Sequence, residues 1–260
     1  MNFHVTHMKN FRTMDCRLGF SGLFELLTIL SMAGCLVGGA AGQSVAVVPF
    51  DLPKIQPVLS QCRLHSPSTS PATVSRGNFG GYELPGRFHL GDGGTTMVLA
   101  TTANDRDRSE LRHNLSWPLT TQEINYSARL RFDKPVALGG KKSRLHILQI
   151  YTKGAVKGPM VLVSWSGSWG GDGDEDNLTV YVRDSTTHRI GVRPDGFFNL
   201  DVRVKNGIVK VFINNELKVE DDVSGFAGSH AYFKTGAYHK GIKPHAVEFE
   251  SLSIKAGSPK

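Results

Sequence analysis

The stretch FFNLDVRVKNGIVKVFINNELKVED, residues 197–221, decides the fold class. Apolar Leu200, Val202 and Val204 alternate with polar Asp201, Arg203 and Lys205, the period of a strand with one buried face. Asn206-Gly207 then interrupts the alternation. Both residue types tolerate the positive φ that a two-residue hairpin turn demands. Ile208 to Ile213 resumes the pattern, and Asn214-Asn215 makes a second turn into ELKVED. A strand–turn–strand–turn–strand meander is the expectation.

The same period recurs on both sides. Strands are predicted over 96–102, 124–132, 144–151, 160–165, 178–184, 197–206, 208–215 and 246–254. No segment after residue 42 shows a convincing helical period. The 29 glycines suit a chain with many tight turns. The expected fold is therefore all-β, a two-sheet sandwich or jelly roll.

The N-terminus reads differently. Basic residues precede an apolar run, Leu26 to Val37, followed by Gly38-Gly39-Ala40-Ala41-Gly42. That order marks a secretory leader, and the run is short of the ~20 residues that a membrane span needs. Residues 1–42 are thus expected to be a leader, and the mature protein to be extracellular. Cys16 and Cys35 fall inside it, so only Cys62 remains and no disulfide framework can form. Residues 43–75 carry several prolines and the Ser/Thr/Pro-rich HSPSTSPATVS (65–75), read as a linker and edge segment with an exposed loop. Residues 76–256 form the one large domain.

Formal charge is +7, and the leader's Lys9, Arg12 and Arg17 nearly balance Asp15 and Glu25. The surplus therefore sits on the mature chain and favours a polyanionic partner. There is no HExxH or Cys/His cluster for zinc, and no GxSxG, phosphate loop or dinucleotide fingerprint. GDGDED (171–176) offers oxygen ligands for a structural Ca²⁺ but lacks the spacing of a full calcium loop. No cofactor is expected.

Three segments carry chemistry. In RSELR (108–112), alternation puts Arg108, Glu110 and Arg112 on one face. Two guanidiniums braced by a carboxylate suit bidentate binding of sugar carboxylates. In HILQIYT (146–152), Ile147, Gln149 and Tyr151 should share a face, with Leu148 and Ile150 opposite. In YFKTGAYHK (232–240), Tyr232, Lys234, Gly236 and Tyr238 should share one. Two phenols, a cation and a glycine suit a sugar-binding trough better than a core strand.

RSELR, QIY and YFKTGAY resemble, in that order, the R-S/T-E-L/V-R, Q-I/V-H and Y-F-K-A-G-x-Y strands of the alginate lyases of polysaccharide lyase family 7 and their jelly-roll relatives. The resemblance spans roughly residues 75 to 256. It implies a concanavalin-like jelly roll with a concave substrate groove, and cleavage of 1,4-linked uronate chains by β-elimination. It also implies that Arg108 and Arg112 hold carboxylates, that Glu110 orients them, and that Gln149 neutralises the C5 carboxylate. Tyr238 would be the catalytic tyrosine, with Lys234 on the substrate and Tyr232 and Tyr151 lining the groove.

One position departs from the pattern. The family's Q-I-H histidine is Tyr151 here. His113 follows RSELR directly, and a twist or bulge at the strand end would turn it into the groove. Glucuronan lyases resemble this layout with a histidine drawn from another strand than the glutamine, and His113 would suit that arrangement. The expected partner is an acidic polysaccharide, alginate first and glucuronan second, bound by a monomer with no nucleic acid or membrane involved. A non-catalytic module that binds acidic glycans is the competing class.

Overall fold

In the computed structural model both asparagine turns form as the alternation requires. Asn206 and Gly207 have φ of 51° and 74°, and Asn214 and Asn215 have 50° and 69°. Lys205 pairs with Ile208 across the first turn and Ile213 with Glu216 across the second. The structure describes residue 55 and residues 61–66, 73–74, 87–103, 106–113, 116–119, 123–132, 143–166, 177–183, 187–240 and 244–257. The leader, most of the segment before Gln61 and the GDGDED run lie outside these residues.

Among the described residues there are strands and two short 3₁₀ turns, in two antiparallel sheets. One sheet runs, in spatial order, Thr187–Val192 (β11), Asn177–Val182 (β10), Gly158–Ser166 (β9), Arg144–Gly154 (β8), Ser229–Lys240 (β15), Arg108–His113 (β5), Cys62–His65 (β1) and Thr73–Val74 (β2). Trp117–Pro118 (β6) adds a short pairing to β15. The other sheet runs Glu216–Asp222 (β14), Ile208–Ile213 (β13), Phe198–Lys205 (β12), Glu123–Phe132 (β7), Ala246–Gly257 (β16), Thr96–Ala100 (β4) and Phe88–Gly91 (β3). This is a jelly-roll sandwich. No helix among the described residues is long and apolar enough to cross a membrane.

The expected strands all appear, most with ends moved by one to three residues. Cys62–His65 and Thr73–Val74 are strands where the sequence suggested linker and loop. They are too short for alternation to reveal. β1 pairs along β5, with Arg63 opposite Arg112 and His65 opposite Glu110.

The core lies between the sheets. Phe233 and Thr235 of β15 point into it: the Tyr126 ring stacks at 6.0 Å from Phe233, and its hydroxyl is 2.7 Å from Thr235 Oγ1. Trp165 and Phe132 meet across the same gap with ring centroids 5.2 Å apart. Inward residues of β15 are thus committed to the core, so Tyr232, Lys234 and Tyr238 face outward, half-buried.

Candidate active site

Three neighbouring strands, β5, β15 and β8, place their outward side chains in cross-strand rows. In one row Lys234 is opposite Arg112 on one side and Gln149 on the other. In a second, Tyr238 is opposite Arg108 and His146. In a third, Tyr232 is opposite Tyr151, with ring centroids 5.9 Å apart. Directly opposed side chains on one face stand close enough to interact. Eight of the nine residues singled out from sequence therefore meet on one face.

The second row depends on two irregularities. Ile147 is an extra residue of β8 against β9, since His146 pairs with Ser164 and Leu148 with Val163. β15 carries its own extra residue against β8 between Thr235 and Tyr238. A bulge shifts the alternation by one. Ile147 is therefore buried in the core rather than beside Gln149, and His146 takes the outward place. Gly236, within the second bulge, has φ of 138°, and a Cβ there would approach Leu99 Cδ1 to 2.8 Å and Glu110 Cα to 3.0 Å. Only glycine fits that backbone and that approach.

His113 does not reach the site. It sits on the inner face of β5 with Ser109 and Leu111, its ring 4.7 Å from Trp117. Strict alternation holds to the end of β5, because Trp117 in turn packs on Phe233 of the core. The histidines that stand beside these charged rows are His146 and His65. The first was hidden by the Ile147 bulge, which no Gly or Pro announces in β8. Gly236 in the partner strand was the only available signal. The second lay in a segment that reads as Pro/Ser-rich loop.

Burial and charge set the chemistry. Glu110 is 1% exposed and Gln149 2%. The Gln149 amide nitrogen donates to Glu110 Oε1, while Glu110 Oε2 lies 3.8 Å from Arg108. Burial pushes the Glu110 carboxyl above its ordinary range, and Lys234, Arg108 and the Gln149 bond pull it back. Glu110 thus orients the amide as well as facing the guanidinium. The Arg108 guanidinium lies 4.3 Å from the Tyr238 ring centre and that of Arg112 4.8 Å from Tyr232. Lys234 Nζ lies 4.3 Å from the Tyr151 ring. Burial pushes Lys234 down, with Arg108 and Arg112 adding to it against Glu110. Burial pushes the Tyr151 hydroxyl up, helped by Tyr232, Glu110 and Tyr238. Tyr151 is thus a poor base. His65 is pushed down by burial, then by Arg108, Lys234, Arg112 and Arg63.

Such a face can hold carboxylates with Arg63, Arg112 and Lys234, can offer a fixed amide at Gln149, and has a phenol, Tyr238, beside them. Residues 57–256 match the model of a family described as alginate lyase, and the chain is a member of that family. No curated protein matches. Solved structures share the fold. An alginate lyase in complex with dimannuronate is 20% identical, with a TM-score of 0.71 over 83% of this chain and 97% of that one. The alginate lyase from Corynebacterium sp. is 17% identical, with a TM-score of 0.65 over 80% and 100%. One from Pseudomonas aeruginosa is 20% identical, with a TM-score of 0.63 over 76% and 99%.

Proposed function

We propose that this lyase depolymerises alginate by β-elimination, with Tyr238 as the proton-transfer group. The observation that carries the reading is the adjacency of two rows on one face: Arg112–Lys234–Gln149 and Arg108–Tyr238–His146. The first row receives the uronate carboxylate. Its charge-assisted bonds and the Gln149 amide stabilise the extra negative charge that grows on the carboxylate as C5 loses its proton. The Tyr238 oxygen, as phenolate, takes the C5 proton. The electron pair forms the C4–C5 double bond as the C4–O4 bond breaks, and the new phenol protonates O4. Atoms and charge balance without a cofactor. Tyr232, Tyr151 and Arg63 extend the face on which neighbouring sugars lie.

Glucuronan is the second reading, favoured by Tyr151 standing where the family pattern has histidine. Mannuronate and glucuronate share configuration at C4 and C5, so one elimination geometry serves both. Family membership favours either over the non-catalytic binding module. The order of basic, apolar and small residues in 1–42 supports export, and the surplus positive charge supports an acidic glycan as partner.

The test is a substrate panel of poly-mannuronate, poly-guluronate and glucuronan, followed by ultraviolet absorbance of the unsaturated product. Wild-type protein is expected to raise the absorbance on at least one, and Tyr238→Phe to lose ~10²–10⁴-fold of the rate with its fold intact. Full activity in folded Tyr238→Phe removes Tyr238 from the mechanism. Binding without any absorbance rise leaves only the binding module.

A further inference from the structure

His146 is a polar side chain with no part in the proton transfer by Tyr238, and its position is an expensive one. It is 5% exposed, and its chain neighbours Leu145, Ile147 and Leu148 are buried apolar residues. An imidazole in such surroundings costs free energy unless it is bonded, and two bulges are needed to set it opposite Tyr238. An apolar residue in a regular ladder would be simpler.

What the arrangement achieves is a clamp. The Tyr238 ring has Arg108 on the β5 side, 4.3 Å from its centre, and the His146 ring on the β8 side, with centroids 5.4 Å apart. His146 is itself tethered: its Nδ1 is 2.7 Å from Ser164 Oγ on β9. Ser164 is braced in turn, because Thr179 Oγ1 of β10 donates to its carbonyl at 3.3 Å. Nε2 makes no hydrogen bond among the described residues, and Nδ1 is committed to Ser164.

Charge defines the role further. Lys240 of β15, Arg144 of β8, His239 of β15 and Arg108 of β5 act on His146 electrostatically. Burial first, and then these groups, hold its pKa down to about 3. The ring is therefore neutral at any ordinary working pH. So weak a base in so buried a place cannot itself strip a carbon acid efficiently. A neutral imidazole has another use. With Nδ1–H donating to Ser164 Oγ, Nε2 accepts from a phenol. With the Ser164 hydroxyl donating to Nδ1, Nε2–H donates to a phenolate. The Ser164 hydroxyl can turn either way, so the pair serves both protonation states of Tyr238 without ionising.

We infer that His146, held by Ser164, is a positioning residue for Tyr238, clamping its ring opposite Arg108 and presenting Nε2 to its oxygen during turnover. The inference rests on the proposed role of Tyr238. It supplies an imidazole from three residues before Gln149 instead of from the family position two residues after it.

The experiment compares His146→Leu, His146→Asn, Ser164→Ala and Tyr238→Phe, each checked for folding, by kcat, KM and the pH dependence of kcat on the substrate that wild type cleaves best. Expected for His146→Leu is a loss of ~10²-fold in kcat with KM within about threefold, because the group acts on proton transfer rather than on binding. His146→Asn, which keeps a polar group near Ser164, recovers part of the loss. Ser164→Ala lowers kcat by about tenfold and shifts its pH dependence. A purely structural role predicts a lower melting temperature with kcat unchanged. Wild-type kcat in folded His146→Leu overturns the inference. Should that variant not fold, Ser164→Ala with wild-type kcat and pH profile overturns it. An active Tyr238→Phe overturns the reading beneath it, whereas an inactive Tyr238→Phe beside a fully active His146→Leu overturns the His146 role alone.

Discussion

The Gln149 amide on β8 donates to the Glu110 carboxylate on β5, although β15 lies between those strands. The bond ties the outer two strands of the site to each other above the strand that carries Tyr238. It fixes which way the amide points, and hence what Gln149 offers a substrate carboxylate.

Glu110→Ala should leave that amide buried without its acceptor, and kcat/KM should drop by ~10²-fold, an effect on the scale of losing an oriented donor. Glu110→Gln keeps an acceptor at Oε1 and should lose less. The carboxyl also gives a pH signature. Its folded-state pKa is raised above the ordinary value, chiefly by burial. The folded protein then holds the proton more tightly than the unfolded chain, so stability falls as pH rises from the ordinary carboxylate range through the raised value. As pH rises above the ordinary carboxylate range, denaturant unfolding of Glu110→Gln should show a shallower fall than wild type.

His146 gives the opposite sign. Its folded pKa, about 3, lies below the model-peptide value of 6.5. The unfolded chain takes up a proton that the folded protein refuses, so stability falls as pH drops from about 6.5 towards 3. The slope for one such proton is about 1.4 kcal/mol per pH unit. Urea unfolding at a series of acidic pH values should show that slope in wild type and its loss in His146→Asn. An unchanged acid profile would place the histidine in contact with solvent.

Gly236→Ala should be destabilising by roughly 2–4 kcal/mol, from a strained positive φ together with overpacking against Leu99 and the β5 backbone. Thermal unfolding measures it. Because the strain falls within the bulge that aligns Tyr238, kcat should fall in whatever fraction remains folded.

Tyr126→Phe and Thr235→Val each remove one side of the buried hydroxyl pair between the sheets. Thr235→Val strands the Tyr126 hydroxyl and should cost about 1–3 kcal/mol, whereas after Tyr126→Phe the Thr235 hydroxyl keeps its bond to the Ile147 carbonyl and the cost should fall at the low end of that range. The double variant should cost less than the sum. The coupling read from a double-mutant cycle reports how firmly β15 is seated on the core behind the site.

Period-two alternation and the two asparagine turns determine by themselves that this chain is a β-sandwich, because side-chain direction in a strand follows parity and turn conformation follows residue type. The same parity placed Arg108, Glu110, Arg112, Gln149, Tyr151, Tyr232, Lys234 and Tyr238 on outward faces, and the strand motifs pointed to the family. What only the tertiary structure decided is where parity breaks and which strands lie side by side. A bulge at Ile147 is a compromise among three hydrogen-bonded strands and leaves no local mark, so His146 entered the site and Ile147 left it. β1 added Arg63 and His65 because an edge as short as Cys62–His65 is a strand only by virtue of the β5 backbone it pairs with. These are properties of neighbours distant in the chain, and no local pattern encodes them.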